Sequence, residues 1–262
     1  MRLFRKVLKA LGIYKLYEKL LESEVKSGNL PNHIALILDG NRRWAKMRNL
    51  PSWLGHEKGA KKVEEALDWM LDLGIKTVTL YVLSTENLKR DKRELEKLFH
   101  IISKYLDKAL NNEKILKYGV KVKAIGNLSS LPIEIQNKIR ALEAKTASNN
   151  ERFLNIAIAY GGRLEIINAT RKIVQDVLED KIKVDEIDEK LFEKYLFTSH
   201  LPNPSPDLVI RTSGEERLSN FLLWQSAYSE LIFLDIYWPD FRRIDLLRAI
   251  RTYQKRHRRF GL

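Results

Sequence analysis

After Pro31 the chain alternates short apolar runs of strand length with longer stretches in which apolar residues recur every three or four positions. Strands buried on both faces read as near-continuous apolar runs, so this rhythm predicts a parallel sheet covered by helices. Strands are predicted at 34–38, 77–83, 120–125, 154–159, 208–210 and 232–236, and helices at 58–72, 92–110, 132–147, 163–178, 189–196 and 218–228. No internal repeat or low-complexity stretch appears, and the Pro-rich HLPNPSPD reads as a loop inside the domain rather than a linker. The predicted architecture is therefore a single α/β domain, with a central, mainly parallel sheet of about six strands flanked by helices.

Ahead of Pro31, Phe4, Val7, Leu8, Leu11 and Tyr14 fall at helical spacing with Arg5, Lys6, Lys9 and Lys15 between them. This predicts an amphipathic basic helix, so residues 1–30 are expected to form a helical extension to a main domain over 31–262. Its apolar side either packs on the body of the protein or touches a membrane surface.

Charge adds to the picture. The 262 residues include 47 Lys and Arg against 34 Asp and Glu, a formal net charge of +13, which favours polyanions: nucleic acid, an acidic membrane or phosphorylated molecules. With no cysteine, disulfides, thiolate nucleophiles and Cys-ligated zinc are all excluded, which agrees with a reducing compartment and a cytoplasmic address. No apolar stretch approaches the ~20 residues of a membrane span.

Four predicted strands run directly into polar groups: Asp39-Gly40-Asn41-Arg42-Arg43 after the first, STENLKR after the second, YGGR after the fourth and RTSGEER after the fifth. Ligands of open α/β sheets bind beyond the carboxyl ends of strands, so these groups are expected along one edge. Gly40 allows a left-handed turn, and a helix starting near Arg42 would offer backbone N–H groups to a phosphate, with Arg43 adding charge-assisted bonds. A carboxylate repels phosphate, so Asp39 makes sense there chiefly as a Mg²⁺ ligand; the competing reading is a helix cap beside solvated arginines. STENLKR by itself reads as a capped helix start, and Arg211, Arg217 and Ser219 around a Ser-Gly turn as a second phosphate clamp, with surface salt bridges the competing reading. There is no G-x-x-x-x-G-K-[ST] and no G-x-G-x-x-G after a strand, and the five histidines lack metal-ligand spacing, so neither a P-loop, a dinucleotide fold nor a zinc site is supported.

HIALILDGNRRWAK, GHEKGAKK, TLYVLSTENLKR, NIAIAYGGRLEI, DLVIRTSGEERLSNFLLWQSAYSEL and WPDF occur in an order and spacing that resemble the cis-prenyltransferases, the undecaprenyl diphosphate synthase family, from about His33 to the last residues. The resemblance implies that residues 31–262 are a homodimeric catalytic domain with a hydrophobic tunnel. It would join isopentenyl diphosphate repeatedly to an allylic diphosphate, with cis double bonds and Mg²⁺, to make a long carrier-lipid precursor. By position, Asp39 would be the Mg²⁺-associated aspartate, and Gly40, Asn41, Arg42, Arg43, Trp44 and His56 the allylic-diphosphate pocket. Ser84, Thr85, Glu86 and Arg90 fall in the substrate-binding stretch, with Asn87 at a position proposed as proton acceptor. An amide is a poor base, so Asn87 reads as a positioning group, with Asp39 or a diphosphate oxygen as the proton sink. Arg211, Arg217 and Ser219 would hold isopentenyl diphosphate, Glu230 would be a metal-linked acid offered across a dimer, and Arg259 and Gly261 an R-x-G element reaching the neighbouring subunit.

Three positions depart from the common pattern. Ser52 replaces an arginine, whose phosphate contact is then either missing or supplied by Arg48, Leu88 stands for a tryptophan, and Glu216 for a histidine. The departures point to an archaeal-type member primed by geranylgeranyl diphosphate, with farnesyl diphosphate the other candidate primer. Two rival readings remain open. A nucleic-acid-binding protein would follow from the charge and from FRRIDLLRAIRTYQKRHRRF, and would show steep salt dependence. A weakly active subunit of a heteromeric synthase would be inactive alone.

Overall fold

The computed structural model describes residues 13–256; Phe4, Val7, Leu8 and Leu11 of the basic helix, and Arg259 and Gly261, lie outside the described residues. In chain order the elements are α1 (Ile13–Ser27), β1 (His33–Ile37), α2 (Asn41–Lys46), α3 (Ser52–Asp72), β2 (Thr77–Ser84), α4 (Lys92–Leu110), α5 (Glu113–Lys117), β3 (Val120–Ile125), α6 (Ile133–Lys145), β4 (Arg152–Tyr160), α7 (Gly162–Leu178), α8 (Glu189–Glu193), β5 (Leu208–Thr212), β6 (Glu230–Leu234) and α9 (Arg243–Lys255). The six strands form one sheet in the order β3-β4-β2-β1-β5-β6, with every neighbouring pair parallel. All their carboxyl ends therefore reach the same edge. The order reverses at β1, the kind of switch point where α/β sheets take ligands.

Alternation along the strands divides the core. Ile34 and Leu36 of β1, Val78 and Leu80 of β2 and Leu208 and Ile210 of β5 face α1, α3 and α9. Ala35, Ile37, Tyr81, Ala157 and Val209 face the other way, against Phe221 and Leu222. Val122 and Ala124 of β3 join Leu98 of α4 and Ile135, Ile139 and Leu142 of α6 in a third cluster. Helix α1 is part of this body, since Leu21 and Val25 are buried in the main core and α1 packs on α9. The basic run at 243–255 is likewise helical with its apolar positions consumed: Ile244, Leu246, Leu247, Ala249 and Ile250 are buried. Arg242, Arg243, Arg251 and Arg256 pair with Asp245, Glu22, Glu24 and Glu230, so much of the charge that suggested nucleic acid is matched within the chain.

Residues 218–228 are not a helix. They form consecutive turns, with Ser219, Asn220 and Leu222 in the left-handed region at φ 50°, 66° and 41°. Their apolar spacing imitates a helix because Phe221 and Leu222 must both reach the core, where they are fully buried. An apolar cavity of about 530 Å³ lies between the sheet and helices α3 and α4, walled by Val78, Leu80, Val82, Leu154 and Ile156 below and Val63, Leu67, Ile101 and Tyr105 above. This is the expected hydrophobic tunnel.

Candidate active site

Strand β1 ends at Ile37, and the chain turns at Gly40 before α2 starts at Asn41. Gly40 has φ 104°, and a Cβ there would sit 2.7 Å from the Tyr237 ring, so only glycine suits the turn. The turn is pinned through the Asp39 carbonyl, which accepts from Thr212 Oγ1 at 2.7 Å and from the Trp238 amide at 3.0 Å. Asp39 does not cap α2, because the cap position is Gly40 and no side chain serves it.

The Asp39 carboxylate instead looks across to β5. Arg211 Nη2 donates to Asp39 Oδ2 at 2.7 Å, Arg43 Nη2 to the same oxygen at 3.3 Å, and the Gly40 amide to Oδ1 at 2.6 Å. Burial pushes this carboxyl up, but the Arg211 guanidinium, with Ser213 and the Gly40 amide, outweighs it and holds Asp39 below the usual carboxylate range. It is ionised at neutral pH. Arg211 Nη1 also donates to Ser219 Oγ at 2.7 Å and to the Arg217 carbonyl, so one buried guanidinium ties the first motif to the clamp turn. Arg43 completes the link, donating to Ser213 Oγ at 2.6 Å and to Glu215 at 3.0 Å. Ser213 and Gly214 both have positive φ, which folds this turn against β1 as the Ser-Gly pair suggested.

The opposite wall comes from α3 and α4. A Cβ on Gly55 would fall 2.1 Å from the Asn41 carbonyl, so that glycine lets α3 approach α2 and bring His56 to the pocket. Glu94 of α4 gathers the basic groups here: Arg90 at 3.0 Å, Arg42 at 3.5 Å and His56 Nε2 at 3.7 Å. Burial, then the neighbouring Arg90, lower His56 to about 4 despite Glu94, so the imidazole is neutral at pH 7. At the end of β2, Ser84 Oγ accepts from the Asn87 amide at 3.1 Å while Asn87 Oδ1 accepts from the Ser84 amide at 3.3 Å. Glu86 accepts from Asn220 at 2.9 Å, joining this stretch to the clamp loop.

These walls enclose a polar pocket of about 1100 Å³. Asp39, Gly40, Asn41, Arg42, Arg43 and His56 line it together with Ser84, Glu86, Asn87, Arg90, Arg211 and Ser219. Leu38, Asn41, His56, Val82 and Leu98 line both this pocket and the apolar cavity, so the two are continuous.

Other expected residues sit elsewhere. Trp44 is buried behind the pocket, its indole donating to Asp240 at 2.8 Å. Arg48 does not take over from Ser52: it stacks 4.3 Å over Trp44 and pairs with Asp240 at 3.0 Å, whereas Ser52 lines the pocket. Thr85 faces Gly161, and the Arg217 guanidinium points to Glu215 at 2.7 Å. Glu230 begins β6, in register with Leu208, at the opposite edge from Asp39, and pairs with Arg256 at 2.8 Å. It cannot share an ion with Asp39 of the same chain. Among the described residues no group of three His, Asp or Glu forms a metal cage, but one ionised carboxylate beside phosphate-compatible groups is the donor set Mg²⁺ uses when substrate oxygens complete its shell.

Glu94, Ser213 and Glu215 were not foreseen in the sequence. Glu94 left one local trace, its spacing four residues after Arg90 on a helical face. Nothing local marks Ser213 or Glu215 as partners of Arg43.

Residues 37–261 match the family model described as putative undecaprenyl diphosphate synthase. The chain is 53% identical over 249 residues to the tritrans,polycis-undecaprenyl-diphosphate synthase (geranylgeranyl-diphosphate specific) of Methanopyrus kandleri, covering 95% of this chain and 91% of that one. The protein of the same name from Methanocaldococcus jannaschii is 51% identical, covering 98% and 92%. Among solved structures, lavandulyl diphosphate synthase from Lavandula x intermedia, in complex with dimethylallyl diphosphate, superposes with a TM-score of 0.86 at 39% identity, over 91% of this chain and all of that one. A probable undecaprenyl diphosphate synthase from Campylobacter jejuni gives 0.72 at 34%, over 89% of this chain and all of that one.

Proposed function

The chain belongs to the undecaprenyl diphosphate synthase family and is a transferase that builds prenyl diphosphates, and we propose that it extends geranylgeranyl diphosphate with isopentenyl diphosphate in cis, with Mg²⁺, to a long polyprenyl diphosphate. The observation that carries this reading is the junction at Asp39. An ionised carboxylate and two arginines line a polar pocket that opens, past the neighbouring Leu38 and Asn41, into an apolar cavity, which suits an amphiphile with a diphosphate head and a prenyl tail. The cavity, about 530 Å³ and walled by aliphatic side chains, suits a prenyl tail.

The allylic head lies among Gly40, Asn41, Arg42, Arg43, His56 and Arg90, with its tail towards Val82 and Leu98. Isopentenyl diphosphate is held by Arg211, Ser219 and, once it swings from Glu215, Arg217. When the allylic C–O bond breaks, the electron pair leaves with the diphosphate, and the arginines stabilise the charge as it develops. Mg²⁺ on Asp39, when bound, adds Lewis-acid stabilisation of that same leaving group. The isopentenyl double bond supplies the new C–C bond, and the resulting cation loses a proton to a diphosphate oxygen or to Asp39. Asn87, locked to Ser84 by two hydrogen bonds, positions the isopentenyl chain for that loss. Neutral His56 donates a hydrogen bond to the head without needing protonation.

A homodimer is part of the proposal. Helix α7 exposes Ile167, Val174 and Leu178 along one side, an apolar stripe suited to a second copy. Only through such a copy could Glu230 reach a metal-bearing pocket, and the R-x-G element at Arg259 and Gly261 is proposed to act across the same dimer. No described helix is long and apolar enough to cross a membrane; we place the enzyme in the cytoplasm, in peripheral contact with lipid. Radiolabelled isopentenyl diphosphate, Mg²⁺ and either geranylgeranyl or farnesyl diphosphate test the reading. Butanol-extractable label with geranylgeranyl primer is expected; no label with either primer would refute it, and a farnesyl-only preference would overturn the primer assignment.

A further inference from the structure

Strand β4 ends in Tyr160, and α7 starts at Gly162 on the same sheet edge as the polar pocket. The YGGR run there is phosphate-compatible by sequence, yet the first N–H groups of α7 are already taken. The Gly162 amide donates to the Asn220 carbonyl at 2.7 Å and the Arg163 amide to Asn220 Oδ1 at 2.9 Å, so a residue of the clamp loop closes the end of the helix. A substrate phosphate would have to displace both bonds.

Asn220 turns its remaining polar group the other way. Its Nδ2 donates to Glu86 Oε1 at 2.9 Å, in the turn that follows β2, and both residues line the polar pocket. Gly161 makes that meeting possible, since a Cβ there would fall 2.7 Å from Asn220 Nδ2 and 2.8 Å from Thr85 Oγ1. The preceding residue, Ser219, accepts from Arg211 through its Oγ at 2.7 Å and from the Tyr81 hydroxyl through its carbonyl at 3.3 Å. Ser219 and Asn220 are both left-handed, at φ 50° and 66°, a conformation that asparagine tolerates better than serine. The bonds of Asn220 therefore help to hold Ser219 where the clamp needs it.

We propose that Asn220 is a positioning residue for isopentenyl diphosphate, setting the distance between the clamp that holds its diphosphate and the turn whose Asn87 orients its chain. The assignment rests on the proposed function. Helix α7, 17 residues long with Ala169 and Ile173 buried, is the fixed body to which Asn220 is bonded. The turn over 84–90 then has two anchors outside itself. Arg90 ties one end to Glu94 at 3.0 Å, beside the place of the primer head, and Glu86 ties the other to Asn220. Cutting the second anchor leaves the first, so the effect falls on isopentenyl diphosphate and spares the primer.

Asn220→Asp isolates the bond to Glu86. One oxygen of the new carboxylate still accepts from the Arg163 amide, a negative charge suits a helix N-terminus, and aspartate tolerates left-handed backbone, so the urea midpoint should not fall. The other oxygen faces Glu86 with no proton to offer. KM for isopentenyl diphosphate should rise about fivefold or more, while KM for the allylic primer stays within about twofold. Asn220→Asp/Glu86→Gln reverses donor and acceptor at unchanged total charge, and should bring the isopentenyl diphosphate KM back to within about twofold of the unaltered enzyme, with Glu86→Gln alone completing the cycle. Glu86→Ala, at an exposed position, removes the acceptor without touching the clamp loop; it should raise the same KM about fivefold and serves if the aspartate variant folds poorly. An unchanged isopentenyl diphosphate KM, equal rises for both substrates, or a double variant no better than Asn220→Asp would each overturn the proposal. Lack of product from the unaltered enzyme with either primer would strike the functional reading instead.

Discussion

Replacing Asp39 with alanine separates what the carboxylate does for the fold from what it does for turnover. Its main partner, Arg211, is only 4% exposed, so Asp39→Ala strands half of a buried guanidinium while the other half keeps Ser219 Oγ and the Arg217 carbonyl. Breaking a fully buried pair costs about 3–5 kcal/mol. Here the Asp39 side chain is 30% exposed, so water can enter the vacated space, and a loss of about 1–3 kcal/mol is expected. A fold worth about 5–15 kcal/mol survives that. Turnover should not: one electrostatic contact to a developing charge is worth ~10²–10³ in kcat, and loss of the metal's carboxylate adds to it, so at least a ~10³-fold fall is expected. Urea unfolding and labelled-product extraction measure the two effects on one preparation, and an Asp39→Ala/Arg211→Ala cycle isolates the coupling. The Asp39 pKa is depressed in the folded state, so its contribution is complete above the ordinary carboxylate value, near pH 4, and disappears as pH falls through the lower native value. The alanine variant should lose that part of the acid dependence. A variant that elongates within tenfold of the unaltered enzyme would refute the assignment of Asp39, and one equally stable at pH 7 would show that the ion pair with Arg211 contributes nothing net.

Other outcomes follow from the same geometry. Gly40→Ala forces a side chain into φ 104° against Tyr237 and should lower stability by about 1–3 kcal/mol, read from the urea midpoint; an unchanged midpoint would show that the turn relaxes freely. His33 and His56 are both lowered to about 4, chiefly by burial, so between pH 6.5 and 4 the unfolded chain binds protons that the native one does not. Stability should therefore fall across that window, by up to about 1.4 kcal/mol per pH unit for each histidine, and be flat in this respect above pH 7. NMR titration placing either imidazole midpoint near 6.5 would contradict this. Leu178→Glu on the exposed stripe of α7 should give a monomer in sedimentation, with turnover reduced if a second chain completes the pocket; an unaltered dimer would move the interface elsewhere.

The fold and the site were legible in the sequence to different depths, for physical reasons. Strands buried on both faces announce themselves as apolar runs, so all six were placed, with β3 matched at both ends and the others within two residues. The 218–228 segment was misread because burial, not local propensity, decides it: Phe221 and Leu222 point inward from backbone with several positive φ values, which a helix forbids. In the site, Asp39, Gly40 and the arginines read equally as a helix cap beside solvated charge, and only their place among the family-like motifs separated the two readings. Arg211 and Asp39 are 172 positions apart, and only the parallel pairing of β1 with β5 makes them neighbours. Trp44 was assigned to the pocket by its motif position and Arg48 as a substitute for the arginine absent at Ser52, yet both turn to Asp240 on the far side of α2, as residues one helical turn apart share a face.

Glu94 shows why the remainder stayed hidden. Among helix charges it looked like an ordinary partner for Arg90, yet it also meets Arg42 from α2 and His56 from α3. A carboxylate that near a diphosphate pocket weakens anion binding unless it serves the cations. Holding Arg42 and Arg90 in place before substrate arrives lowers the cost of arranging them around the head, the advantage of a preorganised site, while the buried Nε2 of His56 keeps no hydrogen-bond partner of its own. Its value depends on three elements converging, and that convergence exists only once α3 has closed on α2 at Gly55.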